Sequence, residues 1–165
     1  MSADSAVGRH RAQADAEARD LAIEIVPRPA AGSLEEAAAL LGLAPRSIVK
    51  SLVVKRHDGQ FLFALVPGDR QISWSKLRTV VGVNKLRLPE ASLAFEATGY
   101  ERGTITPLGS TVAWPVYADR SVVGERIAMG AGEDGFSLFV QADELIAAYG
   151  ATVADISDPI AASGS

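Results

Sequence analysis

Apolar and polar positions alternate most clearly in the middle of the chain. Residues 48–56 (IVKSLVVKR) and 60–66 (QFLFALV) are two β-rich runs around an Asp58-Gly59 turn signal, which predicts a hairpin. Ahead of it, a short strand at 21–26 meets the breakers Pro27 and Pro29. Ser33 and Glu36 then have the spacing of a capping box, opening a helix that stops at Gly42. Behind the hairpin, Pro67-Gly68-Asp69 turns the chain into a helix over 73–81. The pattern continues with a strand at 85–88, a helix from Pro89 to Ala97, a loop over 98–109, strands at 111–117, 122–129 and 135–140, a helix at 142–149 and a strand near 151–155. Strands and helices intermix without a regular β-α-β rhythm, and the longest strands are joined by hairpin-like turns. The expected fold class is therefore α+β, a curled, mostly antiparallel mixed sheet with outer helices. Residues 1–20 read as a tail and a polar helix, 21–157 as one domain, and 158–165 as a second tail.

Composition narrows the chemistry. The 165 residues include no cysteine, which removes disulfides, thiol nucleophiles and cysteine-based metal sites and makes the cytoplasm the expected location. No apolar run is long enough to span a membrane, and the first twenty residues lack the apolar segment of a signal peptide. The net charge of −4 conceals a segregation: residues 46–87 hold nine basic side chains against two acidic, or +7, leaving −11 elsewhere. A basic middle in an acidic chain is what a protein meeting a polyanion on one face would show, although a solvated basic face gives the same count.

The inventory of reactive groups is short. His10 and His57 are the only histidines, which argues against a multi-histidine metal site or a Ser-His-Asp triad, and His57 reads as a plain turn residue. There is no nucleophile elbow, Walker loop or dinucleotide fingerprint, so no cofactor is expected. Two features stand out. Strand alternation puts Lys50 on one face with Ile48, Leu52 and Val54, opposite Val49, Ser51 and Val53. A lysine there either reaches an edge, pairs with an internal carboxylate, or is held at the floor of a cleft to receive a phosphate or carboxylate. The loop from Thr98 to Gly109 (TGYERGTITPLG) has three glycines and a proline, which let the backbone approach a ligand closely.

Taken together, IVKSLVV, the VPGDR turn, TGYERGTITPLG, Asp119 after a strand, Ala131-Gly132 and the closing QADELIAAYGATVADI resemble the YbaK family, which includes the editing domain of bacterial prolyl-tRNA synthetases. The resemblance covers about residues 21–157. It implies a barrel-like mixed sheet and hydrolysis of mischarged aminoacyl-tRNA in trans, with a small amino acid on a prolyl-type tRNA as the preferred substrate. A non-catalytic module binding tRNA or an aminoacyl ligand is the alternative. Lys50 matches the family's essential lysine, expected to hold the phosphate backbone, and Gly103 and Pro107 match the Gly-x-x-x-Pro loop that positions ester and water. Ser51, Thr98, Gly99, Gly109, Asp119 and Gly132 are then expected around the substrate, and Arg70, Lys76 and Arg78 on the tRNA. The partners implied are the acceptor end of an aminoacyl-tRNA and an aminoacyl-tRNA synthetase, with no membrane. Glu133-Asp134 departs from the basic residue many members carry after Ala-Gly, so their amino-acid preference does not transfer.

Overall fold

The computed structural model describes residues 8–160. The central hairpin forms as its pattern demands. Strands β2 (Val49–Arg56) and β3 (Phe61–Pro67) pair antiparallel from Val49 opposite Pro67 to Lys55 opposite Phe61. In the turn, the Asp58 carboxylate accepts the Gln60 amide at 3.0 Å, and His57 is an exposed turn residue.

β3 is buried along its whole length, because it lies inside a five-stranded sheet covered on both faces. Its side chains divide by parity. Phe61, Phe63 and Leu65 enter the larger core, whereas Leu62, Ala64 and Val66 enter a second, smaller one with Val54, Leu77 and Ile156. A nearly continuous apolar run thus serves two cores at once. β2 divides likewise, with Val49 and Val53 in the first core and Val54 in the second.

The sheet runs in the order β5 (Leu86–Arg87), β2, β3, β6 (Val116–Asp119), β9 (Thr152–Ala154). The β3–β6 and β6–β9 pairs are parallel. A three-stranded antiparallel sheet, β1 (Ile23–Pro27), β8 (Phe136–Gln141) and β7 (Arg126–Gly130), stands against it. Among the described residues a single isolated bridge between Ile48 and Ala128 links the two sheets' backbones, so the wall curls without closing into a barrel. β4 (Arg70–Ile72) pairs with β10 (Ser157–Pro159). That two-stranded sheet falls partly in what reads from sequence as a turn and a tail. Three residues per strand are too few for a periodicity to register. The strand expected at 111–117 is confined to β6, and that expected at 122–129 begins as a 3₁₀ turn over Arg120–Val122, capped by Asp119, before β7.

Among the described residues five α-helices surround the sheets: α1 (Gly8–Ala18), α2 (Leu34–Leu41), α3 (Trp74–Val81), α4 (Ala91–Thr98) and α5 (Ala142–Tyr149). α2 starts as its sequence predicts. Ser33 accepts the Glu36 amide at 3.1 Å while the Glu36 carboxylate reaches back to the Gly32 amide, and Gly42 ends the helix in the left-handed region. α1 has few apolar residues, yet Ala12 and Ala16 are fully buried in the larger core. No helix among the described residues is long and apolar enough to cross a membrane.

Candidate functional site

The curl between the two sheets leaves a cavity of about 600 Å³. Its walls come from four places: the start of β2 with Lys50 and Ser51, helix α2 with Leu34 and Ala37, the β7–β8 end with Met129 and Phe136, and the 98–109 loop with Gly103 and Ile105. Lys50 and Ser51 therefore meet Gly103, more than fifty residues further along the chain, at one concave surface. The lining is largely apolar with a few polar groups, the usual character of a ligand site.

Lys50 is half-buried, and its Nζ donates to the Arg70 carbonyl at 2.6 Å. No carboxylate lies within 4 Å of it among the described residues, so it is not the ion-paired core lysine that its strand position allowed. Burial lowers its pKa from the ordinary lysine value, and the carboxylates of Asp69 and Glu35 act against that shift. An ammonium has three donors and only one is used, so the charge is held in place with capacity for an anion. Ser51 lies on the other strand face, its hydroxyl 4.0 Å from the Met129 sulfur, which also takes a 3.4 Å contact from the Thr106 hydroxyl.

The loop is rigid at its base and open at its tip. Arg11 on α1 donates to the carbonyls of Thr98 (3.2 Å), Gly99 (3.3 Å) and Gly109 (2.7 Å), with its guanidinium stacked 4.5 Å over the Tyr100 ring. The Asp15 carboxylate accepts the Gly109 amide at 2.9 Å and the Tyr149 hydroxyl at 2.5 Å. Burial would raise the Asp15 pKa, but these hydrogen bonds and Arg19 outweigh it and hold the carboxyl below its usual range. Burial pushes the Tyr100 phenol up to about 12, and its hydroxyl donates to the Leu108 carbonyl at 2.7 Å. At the tip, Gly103 has φ +94°, with nothing within 4 Å of where a Cβ would stand. Its need for glycine is conformational, and its backbone lines the cavity. Gly130 has the opposite reason: a Cβ there would lie 2.8 Å from the Ile105 carbonyl oxygen, so β7 can approach the loop only without a side chain.

The remaining candidates fall outside the cavity lining. Thr98, Gly99 and Gly109 form the clamped base of the loop, Pro107 is buried behind it, and Gly132 donates its amide to the Thr104 carbonyl at 2.8 Å. Asp119 is 1% exposed and accepts from Ser157 Oγ (2.8 Å), the Ile156 amide (3.0 Å) and Ser121. Burial works to raise its pKa, yet the hydrogen bonds prevail and the carboxyl lies below its usual value. The Ser157 hydroxyl also takes a 2.6 Å bond from Arg70 Nε, and Lys76 pairs with Asp155 (3.1 Å) and Asp158 (2.9 Å). Two of the three basic residues assigned to tRNA thus carry carboxylates already. Arg78 has none within 4 Å among the described residues. The cavity also holds residues that pattern reading passed over, namely Arg28, Arg102 and Met129, together with Asp134 of the Glu133-Asp134 pair. Arg102 sits inside the loop already singled out, and Arg28 between two prolines was read only as a break.

The cavity thus brings a half-buried lysine and a glycine-tipped loop to one largely apolar surface. The chain belongs to the aminoacyl-tRNA editing domain family, whose model matches residues 28–148. Among relatives, the proline–tRNA ligase of Thermosipho africanus is 40% identical over 88 residues, covering 53% of this chain and 16% of the ligase. That of Dehalococcoides mccartyi is 34% identical over 116 residues, covering 70% and 20%. The chain thus spans a fifth or less of the length of these two ligases. A crystal structure assigned as a candidate trans-editing enzyme for prolyl-tRNA synthetase superposes with TM-score 0.85 at 29% identity, covering 92% of this chain and 98% of that one. A crystallised hypothetical protein gives 0.83 at 29%, covering 90% and 99%.

Proposed function

We propose that the chain works in trans in the cytoplasm, removing a small amino acid wrongly attached to a prolyl-type tRNA, in partnership with a synthetase. The observation that carries this reading is the meeting of Lys50 and Gly103 across one cavity. A synthetase pocket discriminates a missing methylene by only about 1–3 kcal/mol, so errors among small amino acids need a second, hydrolytic site.

The chemistry asks little of side chains. An aminoacyl ester is already activated, and its hydrolysis needs a held carbonyl, a positioned water and a proton acceptor, for which the neighbouring ribose hydroxyl serves. In this reading the Lys50 ammonium takes the acceptor-end phosphate, and the backbone at Gly103 approaches the ester with no side chain between them. Ser51 and Met129 limit the amino-acid side. Charged with Ala, Cys, Ser, Thr or Pro, a tRNA panel incubated with the chain tests this directly. Turnover of one or more of the small mischarged species is expected, with Pro-tRNA spared. Binding of tRNA without any turnover would make the chain a non-catalytic module instead.

A further inference from the structure

Three cations line the cavity, and Lys50 is only one of them. Arg28 follows β1 between Pro27 and Pro29, and Arg102 stands beside Gly103 at the tip of the loop. Their place on the cavity, with no carboxylate against them, sets them apart among the described residues. Arg9, Arg19, Arg56, Arg70, Arg120 and Arg126 each have a carboxylate within 4 Å. Arg28 and Arg102, like Arg11, Arg46, Arg78 and Arg87, have none among the described residues, and the partners of the two cavity arginines are neutral acceptors. Arg28 Nε donates to Ser137 Oγ at 3.0 Å and its Nη1 to the Pro29 carbonyl at 3.0 Å. Arg102 Nη2 donates to the Pro89 carbonyl at 2.7 Å.

These contacts fix both side chains without neutralising them. The Arg28 backbone is anchored as well, its amide donating to the Gly135 carbonyl at 2.8 Å. A guanidinium has five N–H donors in a planar fork, so each arginine keeps most of them for a ligand. Against Lys50, Arg28 and Arg102 the lining offers one carboxylate, the exposed Asp134, a balance of +2. The aminoacyl group explains none of this excess, since its ester is neutral and its amine is itself cationic. The anionic part of such a substrate is the phosphodiester chain leading to the terminal ribose.

We infer that Arg28 and Arg102 grip successive phosphodiester groups of the single-stranded acceptor end, one from the β1 side of the cavity and one from the loop, with Lys50 as the third cation. The identity of the substrate rests on the deacylase reading; the anion grip rests on the two guanidinium environments. Docking strength then comes from the cavity rim rather than from Arg70 and Lys76.

The test separates the two. Affinity for an uncharged RNA trinucleotide ending in CCA is measured by fluorescence anisotropy across salt for the parent, Arg28→Gln, Arg102→Gln and the double variant. Each substitution should weaken binding about tenfold, as loss of a charge-assisted bond does. Each should also lower the log–log salt slope by about 0.7, the single-strand value per phosphate. Lysine at either position should restore the slope but only part of the affinity. In turnover, the ratio of kcat/KM on charged trinucleotide to that on aminoacyl-adenosine, which lacks the phosphates, should fall about tenfold per variant. Unchanged affinity and slope, or an unchanged ratio, would overturn the inference. Arg102, exposed at the loop tip, keeps the test decisive should Arg28→Gln fold poorly. A parent that binds trinucleotide through both arginines yet hydrolyses no ester would retire the deacylase reading and leave the grip standing.

Discussion

Lys50 and Lys76 belong to one basic stretch of sequence, and the fold treats them in opposite ways. Lys50 stands at a cavity with a single carbonyl as its partner, whereas Lys76 lies between Asp155 and Asp158 and also donates to the Ser157 carbonyl at 2.9 Å. One charge remains available and the other is spent on holding β10 to α3. The same contrast separates Arg102 from Arg70, whose guanidinium is occupied by Ser157 and lies 3.8 Å from Asp119. A count of charges along the chain therefore overstates the basic face, because Coulomb attraction to a nearby carboxylate cancels a cation's reach toward a polyanion.

Removing the available charge should have the largest effect. Lys50→Ala is expected to lower deacylation by orders of magnitude while leaving the melting temperature equal or higher. Its folded pKa is depressed, so the charged form is disfavoured by folding and truncation relieves that cost at neutral pH. Lys50→Arg should rescue little, since a planar fork cannot put its charge at the same point. A destabilised Lys50→Ala protein with unchanged turnover per folded molecule would remove Lys50 from the site.

Next comes the loop tip. Gly103→Val should nearly abolish turnover, because a β-branched residue at φ +94° is strained and distorts a loop tip that lines the cavity. Far-UV circular dichroism should still show the parent fold. Full activity in this variant would sever the loop from the chemistry.

On the spent side of the comparison, effects should fall on stability instead. Asp119→Asn replaces a buried carboxylate that accepts from Ser157, Ser121 and the Ile156 amide, and about 2–4 kcal/mol should be lost. The pH dependence carries the sign. The carboxyls of Asp119 and Asp15 titrate below their unfolded value of about 3.9, so their contribution is complete above that pH and disappears as pH falls through the folded values. Urea midpoints should drop steeply below about pH 4 in the parent, and less so in Asp119→Asn. An equally steep acid limb in the variant would place the linkage elsewhere.

The smallest effect belongs to Lys76→Gln. With its charge already answered by two carboxylates, tRNA affinity at physiological salt should change less than twofold, well short of the arginine variants at the cavity. A tenfold loss in a binding titration would show that α3 docks the tRNA after all.

Much of the fold was legible in the chain because its signals are local. The β2–β3 hairpin, the Ser33 cap, the stop at Gly42 and the family-bearing strand and loop all depend on residues a few positions apart, where alternation and turn chemistry act directly. Tertiary structure alone decided which residues share the cavity and which charges stay free. β4 and β10 pair across more than eighty residues, and the acids that silence Lys76 come from the C-terminal end of the described chain. Arg11 and Asp15, on a helix that reads as merely polar, hold both ends of the 98–109 loop from 87 to 98 residues away. Sequence spacing carries no information about such pairings, because an ion pair or a clamp is set by distance in space. That distance is fixed only once two cores have packed on either side of β3.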